Sequence, residues 1–135
     1  MNTLIHPSYF PSISQFAAMV QSEVVTFEVE DNFQKQTNRN RTYIYSPNGI
    51  QMVEKCLRYS LEFKKTDEYF HEVADDIFDA RSLVNGKKDP NVFETYTQVF
   101  DDKHGFINNL SVLDLIFNEG KFALDYLKNQ KIIVK

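Results

Sequence analysis

The order of the apolar patterns along the chain constrains its fold more than any other feature. Before residue 50, short runs rich in β-branched and aromatic residues favour strands at Thr3–His6, Glu23–Glu30 and Thr42–Tyr45. After residue 50, apolar residues recur at helical spacing instead. Strands early in a chain and helices late in it are typical of an α+β domain, or of a small α/β layer. We therefore predict N-terminal strands with one helix, and C-terminal amphipathic helices that pack on them.

A helix is predicted between the first two strands. The preceding loop, Pro7–Pro11, is held stiff by a proline at each end. Ser12 and Gln15 then fit a capping box. The residues that follow form one apolar stripe, made of Ile13, Phe16, Ala17 and Val20. Free amide groups and the helix dipole at such a helix start attract anions, so this loop is a candidate site for phosphate or carboxylate.

Helical patterns also dominate the second half of the chain. After a turn at Ser46–Gly49, one helix is expected to carry Met52, Val53, Cys56, Leu57 and Leu61. Thr66 fits the N-cap of a second helix, whose apolar stripe is Tyr69, Phe70, Val73, Ala74, Ile77 and Phe78. A third helix is predicted to begin at Ser111 and to stop or bend at Gly120, and a final helix spans Phe122–Asn129.

The composition is that of an ordinary globular protein. A chain of 135 residues with 42% hydrophobic residues is expected to form one domain with a buried core. Its net charge of −4 excludes wholesale binding to nucleic acid or to an anionic membrane, which requires a clustered basic field. No apolar run is long enough to span a membrane, and the first residues lack the pattern of a signal peptide. Together with a single cysteine, Cys56, these features predict a cytoplasmic protein.

Two long stretches of the sequence match the motifs of a known protein family. The first is His6–Pro11, followed by the helix and strand and then by Phe33–Ile44, where an Asn-Arg pair lies beyond a lysine. The second joins Tyr96–Phe100 to Gly105–Gly120, in which a glycine-aromatic loop leads into a Leu-Ser-x-Leu-Asp-Leu helix. Both stretches resemble the WbqC-like family of small cytoplasmic bacterial proteins, which are linked to O-antigen and related cell-surface polysaccharide synthesis.

The resemblance implies a single WbqC-like domain over residues 1–135, shortened near residues 50–52. Family members usually carry a further middle region where this chain runs from a Pro-Asn-Gly turn almost directly into Met52. The resemblance also implies a transferase, since acyl or aminoacyl transfer to an amino sugar has been proposed for the family. A shortened chain equally fits a non-catalytic remnant or a protein-interaction module, which leaves a homo-oligomer as a further expectation.

A donor-rich loop is the first candidate ligand site. Arginine forks match phosphate or carboxylate, and asparagine side chains both donate to and accept from sugar hydroxyls. The loop provides these groups in Lys35, Asn38, Arg39, Asn40 and Arg41. They suit a sugar nucleotide as the small-molecule ligand, with Arg39 and Arg41 at its phosphates, although a run of this kind is usually a solvated surface loop.

The second candidate is the loop His6–Pro11, in which the resemblance favours His6 and Tyr9 as catalytic groups that face a ligand. The residues alone leave open a structural alternative, in which Tyr9 packs in the core and the prolines only fix the turn. We expect a nucleotide-linked amino sugar to bind between the two loops. All four glycines lie elsewhere in the chain, so a glycine-rich dinucleotide or phosphate loop is excluded here, and no cofactor is predicted.

Two further groups of residues carry weaker signals. His71 and Asp75 would lie one helical turn apart, but no other ligand cluster supports them, so no metal site is predicted. Asp101, Asp102 and His104 could form an acid–base group on a loop. Turn residues with solvent-facing charge are the slightly favoured alternative for these three.

Overall fold

A small parallel sheet forms the base of the fold. The computed structural model describes residues 1–31, 37–39, 41–54 and 64–134, except for the side chains of residues 50–54 and 65. The elements in chain order are β1 (Asn2–Ile5), α1 (Ile13–Val20), β2 (Val24–Phe27), β3 (Arg41–Ser46), β4 (Gly49–Glu54), β5 (Lys64–Lys65), β6 (Ile77–Asp79), α2 (Asp101–His104), α3 (Val112–Glu119) and α4 (Ala123–Asn129). Within these residues the sheet has the strand order β5-β2-β1-β6, and β3 and β4 form a separate hairpin.

The strands of the sheet run in the same direction. β1 pairs in parallel with both β2 and β6, and β5 pairs in parallel with β2. Their carboxyl ends therefore meet at one edge of the sheet, where ligands commonly bind in parallel sheets. Polar residues occupy this edge: His6 follows β1, Glu28 follows β2, Thr66 follows β5 and Asp79 ends β6.

Helix α1 begins where the sequence predicts and lies between two apolar clusters. The Ser12 hydroxyl accepts from the Gln15 amide, and the Gln15 side chain accepts from the Ser12 amide, so the capping box is confirmed. One cluster joins α1 to the C-terminal helices through Ile13, Ala17, Val112, Leu115, Ala123 and Leu127. The other joins α1 to the sheet through Ile5, Ala18, Ala80 and Leu83.

The starts of α1 and α3 are bonded to each other. The Ile13 amide donates to the Leu110 carbonyl at 3.0 Å, and the Val112 amide donates to the Pro11 carbonyl at 2.9 Å. Each helix therefore satisfies one of the amides that a helix N-terminus normally leaves unpaired. This junction holds α1 and α3 in fixed positions relative to each other.

The predicted C-terminal helices are confirmed. Ser111 caps α3 by accepting from the Leu113 amide, and Gly120 ends it with a φ of 52°, which favours glycine. Helix α4 follows within the predicted segment Phe122–Asn129. The sheet, α1 and the C-terminal helices that pack on them make a small α+β fold, as predicted. In the part of the chain that the structure describes, no helix has both the length and the apolar character needed to cross a membrane.

Residues 49–54 differ from the prediction. The sequence favours a helix that includes Met52, but β4 pairs there with β3 in an antiparallel hairpin, and Met52 lies opposite Tyr43. The predicted turn at Ser46–Gly49 is confirmed as the turn of this hairpin. Pairing with the strand that directly precedes these residues determines their structure, because a helical spacing of apolar residues over so short a segment is a weak signal. The rest of the predicted helix, with Cys56, Leu57 and Leu61, lies outside the described residues.

The helix predicted over Thr66–Phe78 is wrong. Residues 67–76 form bends and turns, and Ile77–Asp79 is the strand β6. Phe78 packs with the apolar cluster between α1 and the sheet. The apolar spacing in this segment is helical, but Ile77 and Phe78 pair instead with β1, far away in the sequence, while Tyr69 and Phe70 remain exposed.

Candidate functional site

An open cleft lies at the carboxyl edge of the parallel sheet, and we call it the first cleft. Its volume is about 330 Å³, and its lining includes His6, Asp31, Arg39, Arg81 and Lys88. Clefts at this edge are the usual ligand sites of parallel sheets, and pockets of a few hundred Å³ suit small molecules. The first cleft is therefore the leading candidate for a functional site.

Asp31 holds two of the predicted site residues together. His6 Nε2 lies 3.3 Å from Asp31 Oδ2, and Arg39 Nη2 donates to the same oxygen at 2.7 Å. The side chains of His6, Arg39 and Asp31 are only 7%, 10% and 16% exposed. Charge-assisted hydrogen bonds that are shielded in this way are stronger than those at an open surface. These side chains therefore form an ordered polar cluster on the wall of the cleft.

Arg81 connects a second set of polar groups to the cleft. Its Nε and Nη2 donate to the two oxygens of Asp79 at 2.9 and 2.7 Å. Its Nη1 donates to the Phe70 carbonyl and lies 3.7 Å from Glu28 Oε2. The guanidinium carbon also lies 5.2 Å from the centre of the Tyr69 ring, within the range of a cation–π contact. The bidentate pair and the ring contact fix the orientation of this arginine.

Glu28 is a deeply buried carboxylate at the same edge, with only 2% of the residue exposed. Its Oε1 accepts from the Thr66 hydroxyl at 2.7 Å and from the Glu30 amide at 3.0 Å. Among the described residues its Oε2 accepts no hydrogen bond, and Arg81 is its ion-pair partner. A buried carboxylate is costly unless it is paired, so Glu28 depends on Arg81 for its charge balance.

The electrostatic environment keeps His6 neutral at neutral pH. Burial lowers the pKa of His6 below its ordinary value of 6.5, and the positive charge of Arg39 lowers the pKa further. Asp31 and a hydrogen bond to the Glu28 backbone act in the opposite direction without reversing the shift in this pKa. Neutral imidazole is the form that accepts a proton. The cluster can therefore accept a proton at His6.

The free energy of unfolding should fall as the pH is lowered through the ordinary pKa of histidine, about 6.5. Near this pH the unfolded chain protonates His6 more readily than the folded chain does, because the folded pKa of His6 is lowered, so protons favour unfolding. His6→Gln cannot titrate and should remove this part of the slope. Urea unfolding at several pH values measures it, with His71→Gln at an exposed histidine as the control. Equal slopes for the parent and His6→Gln would contradict a lowered pKa.

The His6–Pro11 loop brings one of its two predicted catalytic groups to the first cleft. His6 lines the cleft, whereas Tyr9 is 41% exposed and does not line it. The anion site predicted at the start of α1 is wrong, because the amides there already donate within the protein. Ile13 donates to the Leu110 carbonyl, Ser14 to the Asn109 side chain and Gln15 to the Ser12 hydroxyl.

The donor-rich loop divides between two clefts. Arg39 lines the first cleft, whereas its neighbour Asn38 lines a second cleft of about 340 Å³. Arg41 is the first residue of β3 and lines neither of these clefts. The structure therefore does not bring Arg39 and Arg41 together on one anion. The other predicted ligand residues, Lys35 and Asn40, lie outside the described residues.

Sequence reasoning missed several charged residues of this edge, namely Glu28, Asp31, Asp79 and Arg81. A signal for them exists, because each lies at or shortly after the end of an apolar strand. The signal is informative only once the strands are known to be parallel, since antiparallel strands would place these residues at opposite edges. The strand that ends at Asp79 was also predicted as a helix, so Asp79 and Arg81 were not recognised as residues at the end of a strand.

The geometry also bears on the weaker candidates for a metal site. His71 and Asp75 are both exposed and lie in a segment that is not helical, so their spacing does not make them neighbours on a helix face. No group of three or more His, Cys, Asp or Glu side chains in the described residues could hold a metal ion. The first cleft is therefore better understood through its cations than through metal ligands.

The acidic residues near Gly105 form part of a turn. Asp101–His104 is the short helix α2, and Asp101 Oδ2 accepts from the Gln98 amide at 3.2 Å. The His104 ring contacts the Pro47 carbonyl at 3.0 Å and is exposed. These contacts fit the favoured interpretation of turn residues rather than an acid–base group.

Comparison with known proteins identifies no relative of this chain. No protein-family model matches the chain, and no curated protein or solved structure matches it. The resemblance to the WbqC-like family therefore stays a prediction from sequence motifs. The geometry and charge of the clefts are therefore the basis on which a function is inferred.

Proposed function

We propose that this chain binds a small anionic metabolite in the first cleft, and that the anion is the phosphate of a sugar nucleotide. The observation that carries the proposal is the convergence of Arg39, Arg81 and Lys88 on one open cleft at the carboxyl edge of the sheet. The carboxylates of Asp31 and Asp89 line the same cleft, and Arg81 is also paired with Asp79 and Glu28. A ligand would therefore be held by hydrogen bonds to these fixed cations and by the charge of Lys88, and not by an excess of positive charge.

The cations of the first cleft differ in how firmly they are held. Arg39 is fixed by Asp31 and Arg81 by Asp79, so both guanidinium groups are in place before a ligand arrives. Fixing groups in advance reduces the entropy cost of binding. Lys88 is exposed and forms no ion pair with any described residue. It is therefore the cation whose charge a ligand can neutralise most directly.

The resemblance to the WbqC-like family supplies the rest of the proposal. It suggests a nucleotide-linked amino sugar as the ligand, and acyl or aminoacyl transfer to its amino group during O-antigen or related polysaccharide synthesis in the bacterial cytoplasm. The acyl group would come from an activated ester or thioester, whose carbonyl carbon bonds to the amino nitrogen while its bond to the alcohol oxygen or thiol sulfur breaks and that group leaves. His6 is the group of the cleft that could take up the proton that the amino nitrogen loses in this step. The cleft geometry supports binding, whereas the transfer step rests on the resemblance alone.

A protein-interaction module is the competing function, and one surface feature favours it. Phe117, in the last turn of α3, is 84% exposed, and Phe122, between α3 and α4, is 58% exposed. Exposed aromatic side chains are a common feature of association sites. This function needs no ligand in the first cleft, so the two proposals predict different binding results.

Inorganic diphosphate should bind the parent chain at about millimolar concentration or below and raise its thermal stability. Arg39→Ala should weaken binding about tenfold or more, because a charge-assisted contact is lost and the Asp31 carboxylate is no longer balanced. Lys88→Ala should weaken binding about threefold without lowering stability, because this lysine is exposed. Isothermal titration calorimetry measures all three affinities.

Lys128→Ala is the matched control for this experiment. It removes the same charge from an exposed position on α4 that does not line the first cleft, so its affinity should equal that of the parent. A nucleotide-diphospho amino sugar serves as the second probe. If neither probe binds the parent at about millimolar concentration, the ligand site is rejected and the interaction module is favoured.

A further inference from the structure

The second cleft lies directly beside the first. Asp89 lines both clefts, and the neighbouring residues Lys87 and Lys88 line the second and the first respectively. Asn38 and Arg39 are divided in the same way, with Asn38 in the second cleft. Two short segments of chain thus form the wall that separates the clefts, and consecutive residues face opposite sides of it. A ligand that reaches past Asp89 can occupy both.

Asn38 is the unusual group of the second cleft. It is only 6% exposed, yet its side-chain amide makes no hydrogen bond within the part of the chain that the structure describes. Its backbone amide donates to the Val84 carbonyl at 2.7 Å, which fixes its position. Gly86 leaves room for it, since a Cβ there would lie 3.2 Å from Asn38 Nδ2. The Asn38 amide therefore lines the cleft with its donors and its acceptor free for a ligand.

The other amides of the second cleft are already engaged within the protein. Asn109 accepts from the Ser14 amide at 2.9 Å and donates to Asp89 at 2.8 Å. Asn108 accepts from the Phe93 amide at 3.0 Å and donates to the Asn91 carbonyl at 2.7 Å. These two asparagines build the wall. Asn38 is thus the amide of this lining that has hydrogen-bonding capacity for a ligand.

The chemistry of the second cleft suits an uncharged ring that carries hydroxyl groups. The Asn38 amide offers a donor and an acceptor side by side, which matches neighbouring hydroxyls on a sugar ring. Tyr43, which is half-buried, adds an aromatic ring to the lining, against which the C–H face of a sugar can pack. Lys87 and Asp89 carry opposite charges, so the cleft has no excess charge that would require an ionic ligand.

We propose that the second cleft binds the sugar ring of a sugar phosphate whose anionic group lies in the first cleft. The inference rests on the proposed function for the anionic half of this ligand. Asn38 then determines specificity for the sugar, because its amide contacts the ring and not the phosphate. Arg39, the next residue along the chain, contributes to the phosphate half on the other side of the wall.

The experiment compares inorganic phosphate with glucose 1-phosphate as probes by isothermal titration calorimetry. The parent chain should bind glucose 1-phosphate about threefold to tenfold more tightly than phosphate, as expected for one or two hydrogen bonds to hydroxyls. Asn38→Ala should abolish this difference and leave the phosphate affinity unchanged. Arg39→Ala should weaken both probes by the same factor. Asn129→Ala, at an exposed position on α4, is the matched control.

A second variant tests the same amide without removing it. In Gly86→Ala the new Cβ lies 3.2 Å from Asn38 Nδ2, so the amide must shift, and glucose 1-phosphate alone should bind more weakly. Equal affinities of the parent for the two probes, or a loss of phosphate binding in Asn38→Ala, would overturn the sugar site. If the parent binds the two probes with equal affinity, its phosphate binding still supports the proposed function. If neither phosphate nor glucose 1-phosphate binds while inorganic diphosphate does, the sugar site is overturned and the proposed function stands.

Discussion

Arg81→Ala should lower the free energy of unfolding by about 3–5 kcal/mol, the range found when one partner of a buried ion pair is removed. Arg81 is 8% exposed and Glu28 is 2% exposed, and the two side chains approach to 3.7 Å. Without the guanidinium, the Glu28 carboxylate keeps as partners among the described residues only the Thr66 hydroxyl and the Glu30 amide. Urea unfolding measures the loss. Because small domains have about 5–15 kcal/mol of stability, the variant should remain folded in water but be clearly weakened.

A double-mutant cycle separates this charge effect from lost packing. Glu28→Gln removes the charge while keeping an oxygen for the Thr66 hydroxyl. Arg81→Ala should therefore cost much less in the Glu28→Gln background than in the parent. Lys128→Ala controls for the loss of one positive charge at an exposed position. A loss below about 1 kcal/mol for Arg81→Ala would show that Glu28 does not depend on this arginine.

Helices α1 and α3 were predicted correctly from their caps, whereas the helix predicted to begin at an N-cap at Thr66 is absent from the described residues. Ser12 with Gln15, and Ser111 with Gly120, define the ends of α1 and α3 through hydrogen bonds within a few residues of each other. Such local chemistry can be read directly from the sequence. The α+β class was predicted correctly because local patterns identify both the N-terminal strands and the capped C-terminal helices.

Elements that depend on a distant partner were predicted wrongly. Ile77–Asp79 becomes a strand because it pairs with β1, where Asn2 lies opposite Ile77. The helical spacing of apolar residues in this segment does not indicate that β1 is its partner. Met52 similarly follows β3 into a hairpin rather than a helix. Tertiary pairing outweighs local propensity whenever it buries the same side chains equally well.

The candidate site shows the same division. His6 and Arg39 were predicted individually from residue type and from the family resemblance, and they do lie together. Asp31, which joins them, carries no local signal that could identify it as their shared partner. Tyr9 and Arg41 were equally good candidates by residue type, but the direction of a loop and the start of a strand keep them from the cleft. Chemistry identifies candidates, and only topology selects among them.

Asp89 is the residue on which the walls of both clefts depend. Its Oδ1 accepts from the backbone amide and the side chain of Asn91 at 2.9 and 2.6 Å. Its Oδ2 accepts from the Asn109 side chain at 2.8 Å and from the Ser14 hydroxyl. The carboxylate thereby joins the first turn of α1 to two separate loops. Asn109 has a φ of 56°, a left-handed conformation that asparagine tolerates when its side chain is bonded.

Asp89→Ala should lower the free energy of unfolding by roughly 2–4 kcal/mol, because donors from three segments lose a charged acceptor at once. The free energy of unfolding of Asp89→Asn should lie between those of Asp89→Ala and the parent. The Asn amide keeps one acceptor oxygen, but its NH2 group faces donors and cannot accept from them. Urea unfolding compares both with Asp102→Ala, at an exposed carboxylate of α2. A stability change in Asp89→Ala no larger than that in Asp102→Ala would show that the clefts do not depend on this carboxylate.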